Sequence, residues 1–224
     1  MPVFFLKENL TNLRIIRRKR YNISEPVLLM DIRQDVNLKT DEELVILILE
    51  NQGYFTYLIE RYERKLLAYI LRISNVSYQE AEDILQDVFI KVYHNLNDFD
   101  PDLKFSSWIY RITHNEVISN YRKRRSRDKD LLIDIDDADL ENFASDLDIT
   151  QKLDEKLLRD NIYKVLDNID IKYREVLVLK FLEEKNYREI SDIIKKPMGT
   201  VATLINRAKK AFLTELHKQS INLK

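Results

Sequence analysis

Two glycines in 224 residues, Gly53 and Gly199, constrain this chain more than any other feature. Tight turns and phosphate-cradling loops draw on glycine because it enters positive φ without steric penalty. With so few of them, and only four prolines, a sheet-based or dinucleotide-binding architecture has little room. Helix interiors need neither residue, so the fold expected is all-α. The chain is 45% apolar and 33% charged, enough for a globular core under a densely charged surface. Its length suits one large domain or two small ones.

Several function classes lose support at once. There is no cysteine, hence no disulfide framework and no thiolate metal site, which fits a reducing compartment. The longest apolar run, residues 44–49, is too short to cross a bilayer, and residues 1–6 precede no signal-peptide core. A cytoplasmic protein without membrane insertion is expected. The three histidines, His94, His114 and His217, are scattered without metal-ligand spacing, and no nucleophile–base pair stands out. Asp134, Asp136, Asp137 and Asp139 lack the glycine and terminal glutamate of a calcium loop. No catalytic residue, metal, cofactor or small-molecule substrate is expected.

Net charge is −1, but its distribution is uneven. Residues 120–127 hold five basic side chains, and residues 128–150 hold nine carboxylates against one lysine. A nucleic-acid surface needs local positive potential, not a high average. A solvated helix end followed by a solubilising linker fits the same charges.

Helical periodicity divides the chain. Residues 1–39 are basic, interrupted by Pro26, and read as a poorly ordered extension with no assigned function. Thr40 with Glu43 reads as a capped helix start, and apolar spacing continues through Phe55, Leu58, Ile59, Tyr62, Leu66, Tyr69 and Ile70. A break at 74–77 precedes a helix over 78–96, in which Ile84, Leu85, Val88, Phe89 and Val92 form one stripe. A loop at 97–104 contains Pro101, and a further helix runs over 105–125. The acidic stretch 128–150 lacks periodicity and reads as a flexible linker. Beyond it helices are expected at 153–168, 171–182, 187–194 and 200–217. The plan is therefore two small helical domains, 40–127 and 151–218, on an acidic tether.

The last two helices, joined by a short turn punctuated by Pro197 and Gly199, have the layout of a helix-turn-helix, whose second helix can lie in a major groove. Thr200 is the expected cap, with Val201, Leu204 or Ile205, Ala208 and Phe212 as the buried stripe. Thr200, Thr203, Asn206, Arg207, Lys209 and Lys210 would then offer donors and cations to DNA. An ordinary helical hairpin is the alternative.

Residues 81–125 combine an acid- and amide-faced amphipathic helix with a second helix that carries Trp108, Asn115 and a basic end. The first suits pairing with a partner's helix. The second could grip phosphates while holding an unstacked base. Two readings of Trp108 stay open, a base contact and core packing; Asp83, Gln86 and Asp87 could equally be a solvated face.

In order and spacing, Ala81–Tyr93, Phe105–Asn115 and the basic Tyr121–Arg125 resemble the extracytoplasmic-function sigma factors of bacterial RNA polymerase. So do Tyr187–Ser191, Pro197–Val201 and Arg207–Lys210, and the resemblance spans roughly residues 40–216. It implies a polymerase specificity subunit with no catalysis of its own. Asp83, Gln86 and Asp87 would face the clamp helices of the largest core subunit. Asn95, Asn97, Phe99, Trp108, Arg111, Asn115, Arg122, Lys123, Arg124 and Arg125 would engage the promoter's −10 element, including a base turned out of the melted strand. The linker would thread toward the active-site and RNA-exit channels, and the helix from Thr200 would read the −35 element. Partners would be core polymerase, promoter DNA and an anti-sigma factor.

The chain departs from that family at several positions. Lys195 stands at a turn position usually held by glycine, Ser191 where alanine is frequent, and Ser119 where aspartate is. Lys196 replaces a residue that is generally apolar, and Ala202 and Leu204 occupy sites commonly basic or polar, which puts the −35 preference in doubt. Competing readings are a helix-turn-helix regulator that does not bind core polymerase, and an interaction module that mimics a sigma factor.

Overall fold

The computed structural model describes residue 36 and residues 38–127 and 161–219. Every regular element among them is helical. The acidic linker and nearly all of the basic extension lie outside the described residues. Helices α1 (Asp41–Glu50), α2 (Phe55–Ile73), α3 (Tyr78–His94) and α4 (Phe105–Arg127) come first, with 3₁₀ turns at Gln52–Tyr54 and Leu96–Asp98. A helical run at 161–167 follows, then α5 (Ile171–Leu177), a π-helical turn (Val178–Leu182), α6 (Tyr187–Ile194) and α7 (Met198–Lys218). Contacts gather the chain into two compact units, Met1–Arg64 with Phe89–Ser106, and Lys65–Val88 with Ser107–Lys224.

The first unit is organised by the acids at the start of α1. Thr40 and Glu43 form the expected capping box. Asp41 accepts from Arg61 at 2.6 Å and from the Tyr62 hydroxyl. Glu42 accepts the Phe105 N–H at 2.9 Å, satisfying one of the orphan donors at the start of α4. An aromatic cluster fills the space beneath. Phe55 meets Phe89 and Tyr93 edge-on, with centroids at 6.5 and 5.1 Å, and Phe105 meets Tyr62 and Phe99 likewise at 5.7 and 5.2 Å. Edge-to-face packing suits the ring quadrupoles and adds about 0.5–1.5 kcal/mol per pair beyond area burial.

In the second unit, Leu66, Tyr69, Ile70, Ile73, Ile84, Val88, Ile109 and Val117 are buried, as are Val165, Val176, Val178, Leu179, Ile190, Ile193, Val201 and Ile205. Helix α7 packs on α5 and α6. Buried charge is paired. Glu183 accepts from Arg72 at 2.6 Å and from the Tyr110 hydroxyl at 2.6 Å, and His114 Nε2 lies 2.8 Å from Glu175. Arg174 donates to the Asp167 carbonyl at 2.6 Å and to the Asn75 side chain. Removing one partner of such a pair strands the other's charge, which costs more than the pair contributes.

Several boundaries differ from the sequence expectation; α4, for one, runs to Arg127 rather than 125. Helix α3 stops at His94, not 96, because Asn95 leaves helical geometry and its side-chain amide donates to the Lys91 carbonyl at 2.7 Å. The helix expected over 171–182 widens into the π turn, where the Glu183 N–H reaches back to Val178 O at 2.9 Å. Thr200 is not the cap of α7. That helix starts two residues earlier behind Pro197, and the Thr200 N–H already donates to Pro197 O at 2.8 Å. Lys195, at the turn position where the family usually has glycine, is left-handed, with φ 52° and ψ 49°.

Two stability experiments follow. Lys195→Gly relieves a side chain from the left-handed region and should raise stability by about 0.5–1 kcal/mol; a lower unfolding midpoint would contradict the turn. Burial, then the carboxylates of Glu175 and Glu183, raises the Tyr69 phenol well above its usual 10.0; burial and Glu183 do the same for Tyr110. A raised folded pKa means that the contribution is complete below pH 10.0 and is lost as pH climbs toward the folded value. In a phenolate absorbance titration, these two of the 12 tyrosines should therefore ionise only as the protein unfolds.

Candidate partner and nucleic-acid surfaces

Helix α3 is held in register by a second capping box, which the sequence reading missed. The Ser77 N–H donates to Glu80 at 2.9 Å, and the Glu80 N–H to the Ser77 hydroxyl at 3.3 Å. Ser77 followed three residues later by Glu80 was the signal available. From that start Ala81, Ile84, Leu85, Val88, Phe89 and Val92 fall on the buried side. Glu82, Asp83, Gln86 and Asp87 are left exposed on the other. The side chains of Asp83, Gln86 and Asp87 form no hydrogen bond or ion pair among the described residues. A rigid helix presenting two carboxylates and an amide is suited to basic and hydrogen-bonding groups on another protein's helix.

The second surface is built on α4. Asn115 is exposed, Arg111 half-buried, and Arg122 and Lys123 exposed on the last turns. Arg124 is paired with Glu80 at 3.4 Å; the side chain of Arg125 lies outside the described part of the structure. Phe99 and Trp108, 6% and 7% exposed, sit in the core rather than on the surface. In the loop before α4, Asn97 is exposed, whereas the Asn95 amide is occupied by the Lys91 carbonyl. The structure thus carries Asn115 and the basic end on one helix and buries the two aromatic rings.

The third surface is the exposed side of α7. Helix α6 begins with a capping box between Asn186 and Glu189, and the turn after it is braced by the Ser191 hydroxyl, which donates to Lys196 O at 2.6 Å. That serine, read from the sequence only as a tolerated small residue, ties down the turn that contains the left-handed Lys195. Val201, Ile205 and Ala208 are buried, which settles Ile205 over Leu204; Leu204 and Phe212 are half-exposed. Thr200, Thr203, Asn206, Arg207 and Lys210 are exposed. Lys209 stands apart, its ammonium 5.3 Å from the centre of the Phe181 ring, a cation–π contact that sequence spacing did not reveal. A short helix, a braced turn and a longer second helix with an exposed polar face have the layout of a helix-turn-helix, a form suited to the major groove of duplex DNA.

Comparison with known proteins defines the class. The family model for Sigma-70 region 2 matches residues 58–127, and that for Sigma-70, region 4 matches residues 159–212. These are the two helical modules of a transcription initiation factor of the sigma-70 type. Among curated relatives, the ECF RNA polymerase sigma factor SigW of Bacillus subtilis is 34% identical over 174 residues, 74% of this chain and 90% of that protein. The ECF RNA polymerase sigma-E factor of Escherichia coli K12 is 31% identical over 180 residues, 77% of this chain and 92% of that one. The chain therefore belongs to the extracytoplasmic-function family of RNA polymerase sigma factors. That family consists of initiation factors, and the regulator reading without core polymerase is not favoured.

Solved structures agree on the fold. CnrH, solved with the cytosolic domain of CnrY, matches with a TM-score of 0.59 and 23% identity, covering 80% of this chain and 99% of that one. The sigma factor RpoE of Bartonella quintana, solved with the anti-sigma factor NepR, matches with 0.57 and 21%, covering 73% and 96%. No helix among the described residues is long and apolar enough to cross a membrane.

Removing the α6 cap tests whether the helix-turn-helix depends on it. Asn186→Ala should lower stability by about 1 kcal/mol. An unchanged unfolding midpoint would show that the cap contributes nothing.

Proposed function

We propose that this chain directs core RNA polymerase to promoters by dividing the work between residues 40–127 and 151–218, with the acidic segment 128–150 between them. Asp83, Gln86 and Asp87 dock on the clamp helices of the largest core subunit. The observation that carries this is their exposure, without partners among the described residues, on a helix whose opposite side is locked in the core. Asn115, Arg122 and Lys123 take the opened −10 strand, with Arg111, Arg124 and Arg125 alongside. Asn95, Asn97, Phe99 and Trp108 are assigned to the same −10 element. Thr200, Thr203, Asn206, Arg207 and Lys210 face the −35 duplex, with Lys209 at its edge. The protein acts in the cytoplasm, contributes no catalysis and needs no cofactor.

An anti-sigma factor is a further proposed partner. The support is that similar folds have been solved with one, as the NepR complex states.

Two experiments test the assignment. The double variant Asp83→Ala, Gln86→Ala should bind core polymerase about tenfold more weakly, a loss near 1.4 kcal/mol, with unchanged helicity. Equal affinity would remove the docking surface. On duplex −35 DNA, Arg207→Ala and Lys210→Ala should each lower the slope of log affinity against log salt by about 1. Lys209→Ala, already engaged by Phe181, should lower it less.

A further inference from the structure

Helix α1 is apolar on more sides than the core beneath it can use. Residues 44–49 are apolar without a break, and at roughly 100° per residue they point all the way round the helix. A helix apolar all round is ordinarily buried all round. Here one side is. Leu44, Val45 and Ile48 are at most 2% exposed, whereas Ile46 and Leu49 are each 50% exposed. Isolated exposed apolar side chains are ordinary, but two at i and i+3 form one strip. Glu43 and Glu50, both exposed, stand at helical spacing on either side of Ile46. Glu50 forms no ion pair among the described residues. The outer side of α1 is therefore an apolar pair between two carboxylates.

The chain itself carries the complement. Residues 13–20, outside the described residues, hold Leu13, Ile15 and Ile16 together with five cations and no acid. The point of attachment suits it too. Val36 is buried, and its carbonyl accepts from Arg61 at 3.2 Å and from the Lys39 N–H at 3.2 Å. The preceding segment thus joins the protein beside the start of α1. Ile46 and Leu49 lie about 9 and 14 Å along that helix from Thr40. The intervening residues 21–35 can span up to about 50 Å, ample for a return path, and such a tether keeps the local concentration high.

We propose that residues 13–20 dock on the outer side of α1, with Leu13, Ile15 and Ile16 against Ile46 and Leu49 and the adjoining cations against Glu43 and Glu50. The occupant is the chain's own basic extension. None of these residues is assigned above to polymerase or to DNA, so the inference goes beyond the sigma-factor reading and stands or falls without it.

The test uses the full chain. Cations at 14–20 are trypsin sites, and a docked segment is cut only when it opens. Cleavage there should be about tenfold faster in Ile46→Asp, Leu49→Asp, with helicity unchanged because both side chains are already half in solvent. Ile15→Asp, Ile16→Asp should accelerate it equally from the other side of the contact. Because the chain has no cysteine, Ile16→Cys with Leu49→Cys should close an intramolecular disulfide on mild oxidation, and Ile16→Cys with Lys210→Cys should not. Equal cleavage rates in all of these proteins overturn the proposal. A disulfide formed only between molecules assigns the strip to a second copy. Weaker binding of Ile46→Asp, Leu49→Asp to core polymerase, with cleavage unchanged, assigns it to the polymerase. Either result overturns docking of residues 13–20.

Discussion

The constraint on which this structure depends is that helices must be ended almost without glycine. Every helix leaves N–H groups unpaired at its start and carbonyls at its end, and a left-handed glycine is the usual device for closing the second. Here side chains do the work. Thr40 with Glu43, and Asn186 with Glu189, close two N-termini reciprocally, as Ser77 and Glu80 do for α3. Asp170 caps α5 through the Lys172 N–H. At the other ends, the Ser74 hydroxyl and the Asn95 and Asn168 amides donate to carbonyls four residues back. Where positive φ could not be avoided, Glu184 and Lys195 take it, at 54° and 52°, and Ser191 braces the second of these turns.

Fixed ends position the surfaces. Because α3 starts at a closed box, its apolar stripe must face the core, and Asp83, Gln86 and Asp87 have nowhere to point but outward. The same logic holds at the far end of the chain. The braced turn sets where α7 begins, and the burial of Val201, Ile205 and Ala208 then determines that Thr203, Asn206 and Lys210 are exposed. The proposed contact residues thus lie on the backs of helices whose fronts are committed to packing.

Periodicity made most of this legible in advance. Stripes of apolar residues defined α2, α3 and the helix-turn-helix, and the Thr40 box was readable because both of its members are close in sequence. What escaped was whatever depends on partners distant in the chain. The withdrawal of Phe99 into the core, the pairing of Arg124 with Glu80 and the seating of Lys209 over Phe181 arise from packing between elements, whereas the burial of Trp108 agrees with the core reading that the sequence already offered. No spacing rule encodes such contacts. Thr200 was misplaced as a cap for a simpler reason: Pro197, with its φ preset at −56°, could start the helix two residues sooner.

The π turn at Val178–Leu182 alters the direction in which the following side chains point. By reaching back five residues instead of four, the chain takes in one residue more than an α-helical turn holds. Each residue of an ordinary helix rotates direction by roughly 100°. That surplus residue therefore swings Glu183 round to where the Arg72 guanidinium and the Tyr110 hydroxyl both meet its carboxylate. Excising one residue here would leave a more regular helix and aim the carboxylate elsewhere, stranding an arginine and a phenol. The irregularity is a rotational spacer, and its regular alternative would be the worse fold.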